Sequence, residues 1–103
     1  MLDLVAGWTG PIDEQLLADG AAADLTGCTV SLVLCRHDGS LLTLTGTVSI
    51  TDYVNGKVRF EPAATDLVFA MRPYRARWMV TNILGRVVYF PDGEPEYWMV
   101  RQP

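Results

Sequence analysis

Hydrophobic and polar residues alternate with a period of two in several short segments of this chain, a pattern typical of half-buried β-strands. Glycine and proline separate the segments at intervals of roughly 8 to 12 residues, the spacing of an all-β sandwich or barrel. The pattern predicts about eight to nine short strands. We therefore expect residues 1–103 to form a single domain of two antiparallel sheets packed face to face, with a small barrel as the alternative.

Two segments, residues 28–36 and 74–82, show the clearest alternation. In the first, one apolar face consists of Cys28, Val30, Leu32 and Leu34. In the second, one face consists of Tyr74, Ala76, Trp78 and Val80. Because alternate strand residues point to the same side of a sheet, these eight positions are the predicted centre of the core.

Weaker patterns predict further strands and the turns between them. The other expected strands are residues 2–8, 12–18, 41–44, 47–51, 57–61, 86–90 and 96–101. Asp38-Gly39 and Asn55-Gly56 predict tight turns, since these dipeptides readily adopt positive φ. Thr65 or Asp66 could cap a single helical turn, so residues 65–71 are expected to hold at most one short helical turn. Residues 21–24 and 91–95 are expected to be loops.

Composition narrows the classes of partner. Half of the residues are hydrophobic and 19% are charged, against about 25% in typical soluble domains. The high apolar content is explained equally well by a large hydrophobic core and by an apolar surface that binds a partner. The net charge of −4 disfavours nucleic acid as a partner. No apolar run approaches the roughly 20 residues of a membrane span, and the N-terminus, with Asp3 and no basic residues, does not resemble a signal peptide.

Residues capable of chemistry are few and scattered. Cys28 and Cys35 would point to opposite faces of one strand, roughly 23 Å apart, which excludes a mutual disulfide. Cys35 and His37 share a face but lack a third orienting group, so a catalytic pair is disfavoured. Asp92, Glu94 and Glu96, at every second position, only loosely suit a hard cation, and a solvated acidic loop is the simpler interpretation. We therefore expect no catalytic residue, no metal and no cofactor.

The candidate contacts are instead with other proteins. Arg75, Arg77 and Arg86 could form a positive stripe facing an acidic partner, although an ordinary solvated sheet face is the simpler interpretation. The terminal strands 2–8 and 96–101 are expected at sheet edges, which can pair with another chain. The last strand has large apolar groups on both faces, typical of a strand buried on both sides. The candidate partner-binding residues are Leu4, Trp8, Arg75, Arg77, Arg86, Tyr97 and Trp98.

Several stretches resemble one known family. Residues 24–30 (DLTGCTV) are similar to its "D-L-T-G-A-T-V", and residues 55–60 (NGKVRF) to its "G-x-V-x-Y". Residues 73–81 (PYRARWMVT) are similar to its "G-x-Y-x-A-x-F-x-V-T", and Phe90-Pro91 to its "F-P" before the last strand. The chain thus resembles the N-terminal immunoglobulin-like domain of phage baseplate upper proteins and related β-sandwich domains of phage tail proteins.

The resemblance implies an immunoglobulin-like antiparallel β-sandwich and a non-enzymatic virion structural role. The implied function is a tail- or baseplate-associated assembly and docking module, made in the cytoplasm of a bacterial host and incorporated into the virion. Its expected partners are other tail or baseplate proteins and further copies of itself. The alternative is a carbohydrate- or ligand-binding β-sandwich, for which the candidate exposed aromatics are Tyr53, Tyr89, Tyr97 and Trp98.

Overall fold

A computed structural model describes residues 2–91 and 93–103, which form ten strands and, within those ranges, no helix. Met1 and Asp92 lie outside the described residues, and with Asp92 the loose cation spacing predicted around it. The strands are β1 (Leu2–Val5), β2 (Ile12–Gln15), β3 (Leu17–Ala18), β4 (Ala21–Ala22), β5 (Thr29–Cys35), β6 (Thr47–Asp52), β7 (Lys57–Glu61), β8 (Tyr74–Thr81), β9 (Val87–Phe90) and β10 (Glu96–Arg101). Within the same ranges, no helix has the length and apolarity to cross a membrane.

Two sheets and one short hairpin contain all ten strands. The larger sheet has the order β1-β10-β8-β5, and β9 also pairs with β8. The smaller sheet has the order β2-β7-β6, while β3 and β4 form the hairpin. Only β1 and β10 pair in parallel, and every other pair is antiparallel. The orders β2-β7-β6 and β10-β8-β5 correspond to the B-E-D and G-F-C orders of immunoglobulin-type sandwiches, so the predicted all-β sandwich is confirmed.

The core lies between the inner faces of the two sheets. Phe60 of β7 stacks on Trp98 of β10, with ring centroids 6.4 Å apart. The predicted inner face of β8 is confirmed, since all four of its residues are buried. On β5 only Leu34 is fully buried, while Cys28, Val30 and Leu32 are half-buried and pack against the core. The sandwich is therefore held together mainly by aromatic and aliphatic side chains, as the alternation predicts.

Several predicted strands have different limits in the structure. The segment 2–8 ends as a strand at Val5. The segment 12–18 breaks at Leu16, whose N–H donates to Gly56 and whose carbonyl accepts from Ala23. These bonds turn the chain away from β7 into the β3–β4 hairpin, so residues 21–24, predicted as a loop, contain β4. The predicted strand 41–44 is reduced to one bridge between Leu41 and Cys35.

The segment 65–71 contains no helical turn because Asp66 has another role. Its buried carboxylate accepts hydrogen bonds from the N–H groups of Ala63, Thr45 and Gly46 at 2.7–2.8 Å, and from the Thr45 hydroxyl at 2.9 Å. Burial alone would raise the pKa of Asp66, but the hydrogen bonds outweigh it and hold the pKa below its ordinary value. Gly46 is required here, because a Cβ would collide with the Glu61 carbonyl. Asp66 therefore links its own loop, which contains Ala63, to the loop that contains Thr45 and Gly46, and it does not cap a helix.

Candidate interaction surface

The most distinctive surface is the outward side of the larger sheet, which we call the outer face. In β8, Arg75, Arg77 and Met79 point outward because their neighbours in sequence are buried. Residues directly opposite each other on paired strands share a face. The register therefore adds Tyr97 beside Arg75 and Tyr89 beside Met79. On the other side of β8 it adds Cys35, Val33 and Ser31.

The composition of the outer face resembles that of a protein interface. Protein interfaces are enriched in tyrosine, methionine and arginine, and depleted in lysine, aspartate and glutamate. The outward positions of β5, β8, β9 and β10 contain arginine, tyrosine and methionine but no lysine, aspartate or glutamate. Tyr89 and Tyr97 are both exposed there. The acidic residue of this face is Asp3 of β1, at the edge of the sheet, where it pairs with Arg101. In a chain with twelve acidic residues, the outward positions of the other four strands carry no acidic side chain.

Two arginines of the outer face, Arg75 and Arg77, hold the loops at the end of the sheet. Arg75 Nη2 donates to the carbonyl of His37, in the hairpin after β5, at 2.9 Å. Arg77 Nη1 and Nη2 donate to the carbonyls of Pro91 and Gly93, in the loop after β9, at 2.7 Å each. Each guanidinium therefore lies between the sheet and a loop. The side chains are ordered by neutral acceptors, so their positive charges persist.

A concave site of about 250 Å³ lies between these two loops. It is lined by Val33, Cys35, Gly39, Arg75, Arg77 and Pro95. Within the described ranges, neither Arg75 nor Arg77 forms an ion pair. An arginine guanidinium offers five N–H donors in a planar fork that matches a carboxylate. The site is therefore suited to an anionic group, such as an acidic side chain of another protein.

The structure separates the predicted arginine stripe into two parts. Arg75 and Arg77 lie together at the concave site. Arg86 is exposed in the turn before β9, opposite Asn82 and roughly 23 Å along β8 from Arg75. The three residues thus do not form one continuous stripe.

The remaining predicted contact residues are also divided between surface and core. Leu4 and Trp98 are buried in the core and are not available to a partner, while Tyr97 and Trp8 are exposed. The prediction of terminal edge strands is correct for β1 and wrong for β10, which lies between β1 and β8. Within the single chain the outward side of β10 is not covered, since Tyr97 is exposed, so burial of both faces of β10 would require a partner subunit.

The candidate aromatic ligand site does not form as one cluster. Trp98 is enclosed in the core, and Tyr53 lies beyond β6 of the smaller sheet. Only Tyr89 and Tyr97 share the outer face. The carbohydrate- or ligand-binding alternative thereby loses the cluster of exposed aromatics on which it depended.

Sequence reasoning missed the open edge formed by β9. Among the described residues, β9 pairs with β8 alone, so its second edge has no partner strand. Val87, Val88 and Tyr89 are 48%, 47% and 43% exposed. Three consecutive apolar residues exposed on both faces of an edge strand are unusual in a monomeric protein. The signal in the sequence that could have revealed this edge is the uninterrupted apolar run Val87–Phe90.

A pair of carboxyl groups between the sheets was also missed. Glu14 of β2 and Glu96 of β10 meet in a cleft of about 220 Å³, where Trp78 Nε1 donates to Glu14 Oε2 at 2.9 Å. Burial, reinforced by the neighbouring Glu96 carboxyl, raises the pKa of Glu14 to about 8. Protonated Glu14 can then donate a hydrogen bond to Glu96 and join the two sheets. No spacing in the sequence brings residues 14 and 96 together.

The other candidate chemistry is not assembled into a site. No hydrogen bond joins Cys35 to His37, and both cysteines are free thiols. Across residues 2–91 and 93–103, no group of three or more histidine, cysteine, aspartate or glutamate side chains is arranged to hold a metal ion. Comparison of the chain with protein-family models, curated proteins and solved structures finds no match in any of the three.

Proposed function

We propose that this chain is a non-enzymatic assembly and docking module that binds another protein through its outer face. The observation that carries the proposal is the composition of that face across β5, β8, β9 and β10, where tyrosine, methionine and arginine occur without lysine or carboxylates. Such side chains supply most of the binding energy at protein interfaces. The partner would place an acidic side chain in the concave site between Arg75 and Arg77, where charge complementarity fixes its orientation.

The setting we propose is a phage or prophage tail or baseplate. The support for it is the resemblance of residues 24–30, 55–60 and 73–81 to the immunoglobulin-like domain of baseplate upper proteins. The partners would then be other virion proteins encoded beside this chain. If the adjacent genes encode no virion proteins, the phage setting fails, while the docking role can still be tested with the proteins they do encode.

The docking role is tested by measuring calorimetrically the affinity of the chain for each co-encoded protein. Tyr97→Ala removes an exposed ring from the outer face and should weaken binding by about tenfold or more. Tyr53→Ala is the matched control, because Tyr53 is equally exposed but lies beyond β6 of the smaller sheet. It should change the affinity by less than about twofold. Equal effects of the two substitutions, or binding to none of the co-encoded proteins, would overturn the proposal.

A further inference from the structure

We propose that β9 is a self-pairing strand. Two copies of the chain would align their β9 strands antiparallel about Val88, so that the larger sheet continues from one protomer into the other. The inference extends the proposed assembly role but uses the edge of the sheet instead of its outer face. Docking through the outer face and self-pairing through β9 can therefore be disproved by separate experiments.

Apart from its short length of four residues, the open edge of β9 lacks the devices by which proteins prevent edge pairing. Natural edge strands are kept very short or are protected by lysine, by proline, by bulges or by a covering loop. The strand Val87–Phe90 contains no charged residue and no proline, and its register with β8 is continuous. Its neighbour β10, in contrast, is covered by β1. An unprotected apolar edge is the surface to which another strand adds.

The hydrogen bonding of the β8–β9 hairpin determines which groups point outward. The Asn82 N–H donates to the Arg86 carbonyl at 2.9 Å, which makes these two residues a hydrogen-bonded pair. Such pairs alternate along an antiparallel ladder. The N–H and C=O groups of Val88 therefore point toward β8, whereas those of Val87 and Tyr89 point to the open edge.

A two-fold axis at Val88 uses all of these outward groups. It places Val87 of one copy opposite Tyr89 of the other, and the reverse, with Val88 facing Val88. Each of the two Val87–Tyr89 pairs exchanges both N–H···O bonds, so the interface would gain about four backbone hydrogen bonds. The arrangement is isologous, as a closed dimer requires.

The charges at the two ends of β9 favour this antiparallel arrangement. Arg86 precedes the strand, and Glu94 follows it. Arg86 and Glu94 are both exposed. Antiparallel pairing brings the Arg86 end of each copy to the acidic end of the other, whereas parallel pairing would bring like charges together. Charge complementarity therefore selects a second copy of this chain as the occupant of the edge.

Sedimentation equilibrium of the full chain tests the pairing. The chain of 11.4 kDa should show a concentration-dependent mass approaching twice that value. Val87→Pro removes an outward N–H without removing a bond to β8, and should weaken self-association by about tenfold or more. Val87→Thr is the matched control, because it keeps both the N–H and the β-branched shape, and it should self-associate as the unmodified chain does. Monomeric behaviour of the unmodified chain up to about 1 mM would overturn the pairing.

A charge exchange tests the arrangement without altering the backbone. Arg86→Glu and Glu94→Arg should each weaken self-association by about tenfold, because each places like charges together twice per dimer. An equimolar mixture of the two variants should form a heterodimer, in which both contacts again join opposite charges. A mixture as monomeric as its components would overturn antiparallel pairing. Arg86→Glu lies in the turn before β9, away from the concave site, and should leave affinity for a co-encoded partner unchanged. Tyr97→Ala should leave the dimer intact, which separates this inference from the docking role.

Discussion

β9 and β10 follow each other along the same edge of β8, but only β10 is enclosed by the rest of the protein. Both strands are mainly apolar. β1 pairs with the outer edge of β10, and Trp98 and Val100 on its inner side are fully buried. β9 has no second neighbour among the described strands, and its first three residues are exposed. The difference shows that the cover supplied by distant strands, and not apolar content, determines whether a strand stabilises the fold or remains available to a partner.

The largest expected effect is on the free energy of unfolding, when one aromatic ring is removed from each strand. Trp98→Ala leaves a cavity against Phe60 and should lower the free energy of unfolding by about 3–5 kcal/mol. Tyr89→Ala removes an exposed ring and should cost less than about 1 kcal/mol. Urea denaturation of both variants at a concentration where the chain is monomeric measures the difference. Equal losses would mean that β9 is as integral to the core as β10.

A smaller effect should appear in the pH dependence of stability, because Glu14 connects β2 to the beginning of β10. Its pKa is raised from 4.5 to about 8 in the folded state, so folded Glu14 retains a proton that the unfolded chain releases. This contribution to the free energy of unfolding is complete below about pH 4.5 and is lost as the pH rises through about 8. Thermal unfolding followed from about pH 5 to about pH 9, a range that covers most of that window and extends above its upper end, should show a declining stability.

Glu14→Gln should flatten this decline, because the amide is neutral at every pH yet can still accept from Trp78 and donate to Glu96. Glu61→Gln is the matched control at an exposed position and should leave the slope unchanged. A decline that persists in Glu14→Gln would show that another group is responsible for it.

The smallest effect lies in the exchange of individual backbone amides along β9. The Val88 N–H is bonded to β8, whereas the Val87 and Tyr89 N–H groups point to solvent in the monomer. At high dilution, we expect these two amides to exchange with deuterium at least about tenfold faster than that of Val88. Raising the protein concentration should selectively slow Val87 and Tyr89 if β9 pairs with itself. Uniform exchange along the strand at both concentrations would contradict the assigned hydrogen-bond alternation.

Much of the local structure could be predicted from the sequence. The bounds of β7 and β10, the Asn55-Gly56 turn and the inner face of β8 agree with the period-two pattern. These features depend on residues adjacent in the chain, whose alternation and positive-φ preferences are visible directly. Of the candidate surface, Arg75, Arg77 and Tyr97 were identified from their strand positions, but the arginines' loop contacts and their distance from Arg86 were not.

Other features could not be predicted because they depend on contacts distant in the sequence. Thr65 or Asp66 was a candidate cap for a single helical turn, but the Asp66 carboxylate is bound by Thr45 and Gly46, about twenty residues earlier. Trp98 was expected at a partner surface, but β1 and β7 enclose it. Glu14 and Glu96 meet only because the two ends of the chain belong to facing sheets.

The sequence by itself determined most of the strand segments of this protein and which side of the strongest strands faces inward. It did so because side-chain alternation and turn chemistry are local properties of the chain. Only the tertiary structure decided that β10 is interior and β9 is open, that the outward positions of β5, β8, β9 and β10 lack carboxylates, and that two glutamates share a cleft. Those outcomes follow from the order in which distant strands pair, which is set by the packing of the whole core and not by any single segment.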